Sequence, residues 1–190
     1  GFVEVVAVAG SSQASAEAKA EKLNIPKAYG SYEELLNDSE IEVIHNTTPN
    51  NLHLPVILAA IKQGKHVIAD KPLALNAADA KKMLQAAEKA GIVHAVTFNY
   101  RYNALVQQAR LMVKRGDIGK PHFIHGQYLQ DWLLYQSDYS WRLEKEGGES
   151  RAVADIGSHW CDLVQFVTGR KIVEVYAHLF RVHETRKKPK

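Results

Sequence analysis

Cysteine is nearly absent: Cys161 stands alone among 190 residues, so no internal disulfide can form, and a cytoplasmic location fits. Long apolar runs are missing too. None approaches the ~20 residues that a membrane-spanning helix needs, so no membrane partner is expected. Charge of one sign is scarce: 24 Lys and Arg against 21 Asp and Glu leave a net +3, much of it in Arg186, Lys187, Lys188 and Lys190. Without a basic stripe elsewhere, nucleic acid is not an expected partner. The chain also has no internal repeat and no low-complexity segment.

What remains is an ordinary globular composition, 46% hydrophobic and 24% charged, in a chain long enough for one large domain or two small ones. Phe2 to Ala9 is apolar apart from Glu4 and reads as a buried parallel strand. Ser11 or Ser12 can cap a helix over 14–23, and Ser31 with Glu34 forms a capping box for a short helix through Leu36. Ile41 to Thr48 reads as the next strand, Leu52 to Gln63 as a helix stopped by Gly64, His66 to Ala69 as the third strand and Ile92 to Phe98 as the fourth. Between the last two, Asn76 caps a helix over 77–90 that Gly91 closes. This alternation predicts an α/β fold with a doubly wound, parallel, Rossmann-type sheet.

From Asn103 the rhythm changes. A helix near 104–114, a loop at Gly119-Lys120-Pro121 and a longer strand from His122 to Gln130 precede an irregular aromatic-rich segment from Trp132 to Ser150. A helix from about Asp155 to Thr168 and a long strand from Lys171 to Val182 follow. These point to part of an α+β domain with a mostly antiparallel open sheet. A boundary near Tyr102 gives domains over 1–101 and 102–190.

The strand exit Asp70-Lys71-Pro72 is the element around which the chain is organised. In open α/β sheets ligands bind at the carboxyl ends of the strands, although a charged pair there also serves as a plain polar exit. The stretch Gly64-Lys65-His66-Val67-Ile68-Ala69-Asp70-Lys71-Pro72-Leu73 closely resembles the strand-to-turn signature of the glucose–fructose oxidoreductase, inositol dehydrogenase and rhizopine-catabolism (Gfo/Idh/MocA) family, whose usual Glu-Lys-Pro is here Asp-Lys-Pro. The resemblance covers nearly the whole sequence. It implies a dehydrogenase that uses NAD or NADP and acts on sugars, cyclitols or their derivatives. A dinucleotide-binding domain opens with a Gly-x-Gly-x-x-Gly turn whose amides hold the pyrophosphate, and no such turn occurs here. In the family, the stretch that Gly1–Ser12 resembles is the second strand. The sequence is therefore expected to be an internal fragment, inactive by itself, weak in NAD(P) binding, associating through exposed sheet and ending in a mobile basic tail over 186–190.

Candidate residues fall in four groups. At the first turn, Ser11 and Ser12 offer hydroxyls for a ribose or a 2′-phosphate, with a slight lean towards NADP or dual use, and equally serve to cap a helix. Thr47-Thr48-Pro49-Asn50-Asn51-Leu52-His53 offers hydroxyls and helix N-terminal donors at the same sheet edge as Lys71. It resembles the family's Thr-Pro-x-x-x-His stretch, which lies along the cofactor's ribose and nicotinamide. By itself the stretch also reads as a plain capped turn. Asn99-Tyr100-Arg101, at the end of the fourth strand, is placed similarly, with Asn99 favoured as the cofactor neighbour. On the resemblance, Thr47, Thr48, Pro49, Asn51, His53, Asp70, Lys71 and Asn99 are read as cofactor neighbours.

Asp155, His159 and Asp162, spaced i, i+4, i+7, share one helix face, while Ile156, Trp160, Leu163, Val164 and Val167 form the opposite, apolar stripe. The polar face is thus expected to turn away from the core. It reads as a solvated face, a helix cap or a functional site; a metal site with Cys161 lacks further ligands at usable spacing. Asp155-Ile156-Gly157-Ser158-His159 resembles the family's Asp-x-x-x-His motif, which meets the lysine across the domain cleft. Asp131, Trp132, Tyr135, Asp138, Tyr139, Trp141 and Arg142 suit a polyhydroxylated ligand or an oligomer interface. Trp141 and Arg142 are taken with the cofactor, Asp131, Trp132 and Asp162 with the substrate.

The resemblance thus implies hydride transfer between NAD(P) and a secondary hydroxyl of a sugar, cyclitol or glycoside, with Lys71, Asp155 and His159 catalytic, no metal, and a homo-oligomer (dimer or tetramer) formed through the second-domain sheet. The alternatives are a non-catalytic relative that senses dinucleotide or sugar as a regulatory partner, and a carbohydrate-binding module without cofactor.

Overall fold

Short strands and helices alternate through the first of two compact units, Gly1–Thr97 and Phe98–Lys190. The computed structural model describes residues 2–144 and 151–188; Gly1, the 145–150 end of the irregular segment, and Pro189 and Lys190 of the basic tail lie outside them. In the first unit β1 (Ala7–Ala9) leads to α1 (Gln13–Leu23), β2 (Lys27–Tyr29) and α2 (Tyr32–Leu36). Then come β3 (Val43–Asn46), a 3-10 turn Asn50–Leu52, α3 (His53–Lys62), β4 (His66–Ala69), α4 (Ala77–Ala90) and β5 (His94–Val96).

All pairing is parallel. Among the described residues the strands form two ladders, β1-β2 and β3-β4-β5, rather than one continuous sheet. Both pack on one apolar cluster that includes Leu36, Ile41, Ile44, Ile57, Val67 and Met83, with Val6, Ala7 and Tyr29 against it. The first strand is shorter than its apolar run: only Ala7–Ala9 meet β2, and Phe2, Val3 and Val5 are exposed, with no ladder partner among the described residues. The three-residue β2 has no counterpart among the sequence expectations.

The local signals explain the helices. Ser12 accepts from the Ser15 amide at the head of α1, and Asn76 from the Asp79 amide at 2.9 Å at the head of α4. Ser31 accepts from the Glu34 amide, but the Glu34 carboxylate reaches back to the Gly30 amide instead of the cap residue's own. No helix among the described residues is long and apolar enough to cross a membrane.

A charged knot ties β2 to the start of β4. Lys27 Nζ lies 2.7 Å from Asp38 Oδ2 and 2.5 Å from Glu40 Oε2, the Tyr29 hydroxyl donates to Asp38 Oδ2 at 2.7 Å, and the Lys65 ammonium donates to the Asp38 carbonyl at 2.6 Å. These contacts, that of Lys27 foremost, hold the Asp38 carboxyl well below the usual carboxylate range and push the Lys27 ammonium up.

The second unit contains a 3-10 turn Asn99–Tyr102, α5 (Ala104–Arg115) and α6 (Ser158–Thr168). A π-helical turn, Val153–Gly157, leads into α6, so the helix expected from Asp155 starts with a widened turn. The apolar stripe of α6, with Leu105, Val106 and Ala109 of α5, lines an open groove of about 550 Å³. The segments expected as strands, 122–130 and 171–182, form no ladder among the described residues. Neither meets a neighbouring strand, and Phe123, Val173, Tyr176 and Phe180 stay exposed. Gly126 passes so close to α6 that a Cβ there would overlap the Trp160 indole. The basic tail expected to be mobile is tied down in part: the Arg186 guanidinium donates to the Leu133, Tyr135 and Asp138 carbonyls, and Lys188 Nζ lies 2.8 Å from Glu144.

The Asp38 knot gives a pH test. A carboxyl whose value is lowered by folding stabilises fully above its ordinary value of 3.8, and that contribution is lost as pH falls towards the lowered one. The gap in Tm between the native sequence and Asp38→Asn should stay constant from neutral pH down to about 4 and close below it, read by calorimetry across a pH series.

Candidate functional site

The β3-β4-β5 register sets Asn46, Ala69 and Val96 abreast at the carboxyl edge of the ladder. The next residues leave the sheet at one level, and the Asp70 amide still donates to the Asn46 carbonyl and the Thr97 amide to the Ala69 carbonyl, each at 2.9 Å. Asp70 and Lys71 stand there together with Thr47, Thr48, Pro49 and Asn51. Asp70 Oδ1 accepts from the Lys71 amide at 3.0 Å and from the Thr97 hydroxyl at 2.6 Å. Thr48 donates its hydroxyl (2.8 Å) and its amide (3.2 Å) to Asn46 Oδ1.

Asn46 is buried, and its Nδ2 has no partner among the described residues. An orphaned amide donor beneath a loop of hydroxyls and amides, with a lysine on the next strand exit, is a donor set that fits a nucleotide's oxygen-rich, anionic body. His53 is enclosed, 1% exposed, with both ring nitrogens facing main-chain carbonyls. Ser12 caps α1, and Ser11 is exposed beside it at the end of β1.

In the second unit the acid–imidazole face turns inward, against expectation. His159 and Asp162, 6% and 7% exposed, are the most buried of its described residues, while the apolar stripe of α6 is only half-buried. The reason is a polar partner that sequence spacing does not reveal: Arg101, on the Asn99–Tyr102 turn, grips the Asp162 carboxylate in a fork, with Nε 2.8 Å from Oδ2 and Nη2 on Oδ1. Phe98 and Phe166 flank the guanidinium at 5.8 and 5.2 Å, and the pairing raises the Arg101 value further.

The His159 ring packs against Tyr100 at 4.4 Å and meets Phe98 edge-on at 6.0 Å. The Tyr100 and Tyr128 hydroxyls share a hydrogen bond of 2.5 Å, which, with burial, pushes the Tyr100 phenol up. Asp155 Oδ1 accepts from Arg142 Nε at 3.2 Å, and Arg142 stacks over Trp141 at 4.7 Å.

The remaining candidates are less engaged. Asn99 is exposed, the Trp132 indole donates to Gln130 at 2.8 Å, and the Asp131 carbonyl accepts from the Leu134 amide in a turn. Asp138 likewise accepts from the Tyr135 amide at 2.7 Å. No group of three or more His, Cys, Asp or Glu among the described residues is disposed to hold a metal. Sequence reasoning overlooked Thr97 and Tyr128, and within Asn99-Tyr100-Arg101 it favoured Asn99 over the two residues that the structure engages. Thr97 alone had a signal, because parallel register puts the residue after Val96 beside the residue after Ala69.

Strand-end loops gathered at the carboxyl edge of a parallel ladder are the ligand-binding arrangement of Rossmann-type α/β proteins, and the first unit is of that class. Comparison with known proteins narrows it. Residues 1–98 match the family model described as "Oxidoreductase family, NAD-binding Rossmann fold", and residues 106–188 the one described as "GFO/IDH/MocA C-terminal domain". The chain belongs to this Gfo/Idh/MocA oxidoreductase family. A levoglucosan dehydrogenase of Pseudarthrobacter phenanthrenivorans is 35% identical over 151 residues, covering 79% of this chain and 39% of that protein. An NAD binding oxidoreductase from Klebsiella pneumoniae superposes with a TM-score of 0.81 at 41% identity, over 86% of this chain and 44% of the other. A levoglucosan dehydrogenase in complex with NADH and levoglucosan gives 0.81 at 32% identity, over 86% and 45%. The chain spans about half the length, or less, of the curated relatives it matches.

The Arg101–Asp162 pair is open to a direct test. Arg101→Met keeps the stem and leaves a buried carboxylate without its fork. It should lower stability by about 2 kcal/mol, the typical cost of stranding a charged group that is only partly shielded, measured by urea unfolding.

Proposed function

We propose that the protein carrying this chain is an NAD(P)-dependent dehydrogenase that oxidises a secondary hydroxyl of a sugar, cyclitol or glycoside. The observation that carries the reading is Lys71 at the exit of β4, at one level with the Thr47–Asn51 loop, in a chain of this oxidoreductase family. The Thr47, Thr48 and Asn51 side chains and the Asn46 amide would hold the nucleotide. Ser11 and Ser12 would meet its ribose or 2′-phosphate, and Asn99, Trp141 and Arg142 would stand near it. Bound nicotinamide supplies the hydride acceptor.

The chain's own residues handle the proton and the position of the alcohol. Lys71 donates a hydrogen bond to the reacting oxygen and favours its deprotonation, and His159 accepts the hydroxyl proton at a ring nitrogen. Asp155, partnered by Arg142, orients this centre. Asp131 and Trp132 bind neighbouring hydroxyls and a C–H face of the sugar. Asp162, engaged by Arg101, acts by holding α6 rather than by touching substrate. The levoglucosan relatives support a carbohydrate substrate.

We also assign the domains as 1–101 and 102–190, and read the exposed apolar segments 122–130 and 171–182 as strands of a mostly antiparallel sheet through which copies associate in a cytoplasmic homo-oligomer. Large exposed apolar surface supports that reading.

The test is a reduction screen of NAD⁺ and NADP⁺ against levoglucosan, myo-inositol and related sugars with the intact protein. Lys71→Ala and His159→Asn should each lower kcat by roughly 10²–10⁴-fold, as loss of a proton-handling group does, with cofactor affinity little changed. Tight cofactor binding without turnover of any polyol would replace this reading with a sensor role.

A further inference from the structure

We infer that His53 is a positioning residue for Lys71: its enclosed ring clamps the loop after β3 to the turn that presents the lysine. The inference rests on the role of Lys71 given above. Nδ1 of His53 lies 2.9 Å from the Pro72 carbonyl oxygen and 3.3 Å from that of Leu73, while Nε2, on the opposite side of the ring, lies 2.9 Å from the Thr48 carbonyl oxygen. The ring therefore bridges two irregular turns, 47–49 and 71–75, that belong to adjacent strands.

Turns of this kind lack ladder partners for their carbonyls, and buried carbonyls are costly unless they accept a bond. His53 meets both turns at once from a fixed base: in either neutral tautomer its one N–H donates to a carbonyl of one turn while the rest of the ring packs against the other. It is the first residue of α3, its amide donates to the Asn50 carbonyl, and it is the one fully enclosed large side chain among the described residues. From the other side, Asp70 Oδ1 accepts the Lys71 amide. The backbone of Lys71 is thus held at its amide by Asp70 and, one residue on, at the Pro72 carbonyl by His53. At 1% exposure the imidazole acts on a ligand only through the turns it joins.

A catalytic lysine must sit within a few tenths of an ångström of its working position, and displacement of a supporting turn costs rate before it costs binding. The test uses His53→Gln and His53→Phe in the intact protein, each also combined with Lys71→Ala. By hydrogen exchange and mass spectrometry, amides at 47–49 and 71–75 should exchange at least about tenfold faster, with the interior of α4 unchanged. With NAD⁺ and the better substrate of levoglucosan and myo-inositol, kcat should fall about 10- to 100-fold while KM and NADH affinity shift by no more than about threefold. In the Lys71→Ala background the second substitution should lower kcat by less than about twofold, because no lysine remains to be positioned.

Losses that multiply in the double variant overturn the inference, as does a loss of NADH affinity that matches the loss of kcat. So does failure of both variants to fold, since a clamp on two turns leaves the core of the unit standing. If Lys71→Ala alone keeps its rate, the dehydrogenase reading is what fails. Exchange then judges the clamp: faster exchange at both turns upholds it and unchanged exchange overturns it.

Discussion

Parallel register along β3, β4 and β5 is the constraint on which the candidate site depends. Side chains alternate across a strand, so a slip of one residue would turn Ile44 and Val67 out of the core and bring Val43 and Ile68 in. Burial of those alternate residues therefore locks Asn46, Ala69 and Val96 abreast. Everything functional at that edge follows: Thr47, Asp70 and Thr97 emerge side by side with no long-range search by their own side chains. The apolar core does the placing, and polar chemistry is added where the strands run out.

The second unit solves a different problem. The best buried of its described residues are an imidazole and a carboxylate, which no hydrophobic term favours. The Arg101 fork makes the burial tolerable by satisfying the Asp162 oxygens, and Phe98 and Phe166 cover the guanidinium. With Asp162 anchored, α6 is held in rotation, and its next polar residue up the same face, His159, is carried against Tyr100 and Phe98. A structural ion pair thereby fixes the orientation of an imidazole one turn away.

This contrast explains what the sequence could and could not disclose. β4 and α4 are legible to the residue because Gly64, Asn76 and Gly91 punctuate them chemically: a positive φ at both glycines and a side-chain cap at the asparagine. The run Phe2–Ala9 misleads because apolarity reports fitness for burial, whereas a strand also needs a partner at each residue. The segments 122–130 and 171–182 carry a strand-like pattern too and meet no ladder partner among the described residues. The inward turn of the α6 polar face is illegible in principle. The rule that the apolar stripe faces the core fails when a partner 61 residues away supplies the compensating charge, and no local pattern encodes that distance.

The shorter acid at the strand exit fits the same logic. An aspartate at position 70 is close enough to its own backbone to accept the Lys71 amide, and Thr97 on the neighbouring exit donates to the same oxygen. A carboxylate used this way works as a turn brace, the role for which Asp outperforms a longer side chain because less of it must be ordered. The brace on one side and the His53 bridge on the other hold the backbone of the exit on which Lys71 stands. Structural work at this edge is done by Asn46, His53, Asp70 and Thr97.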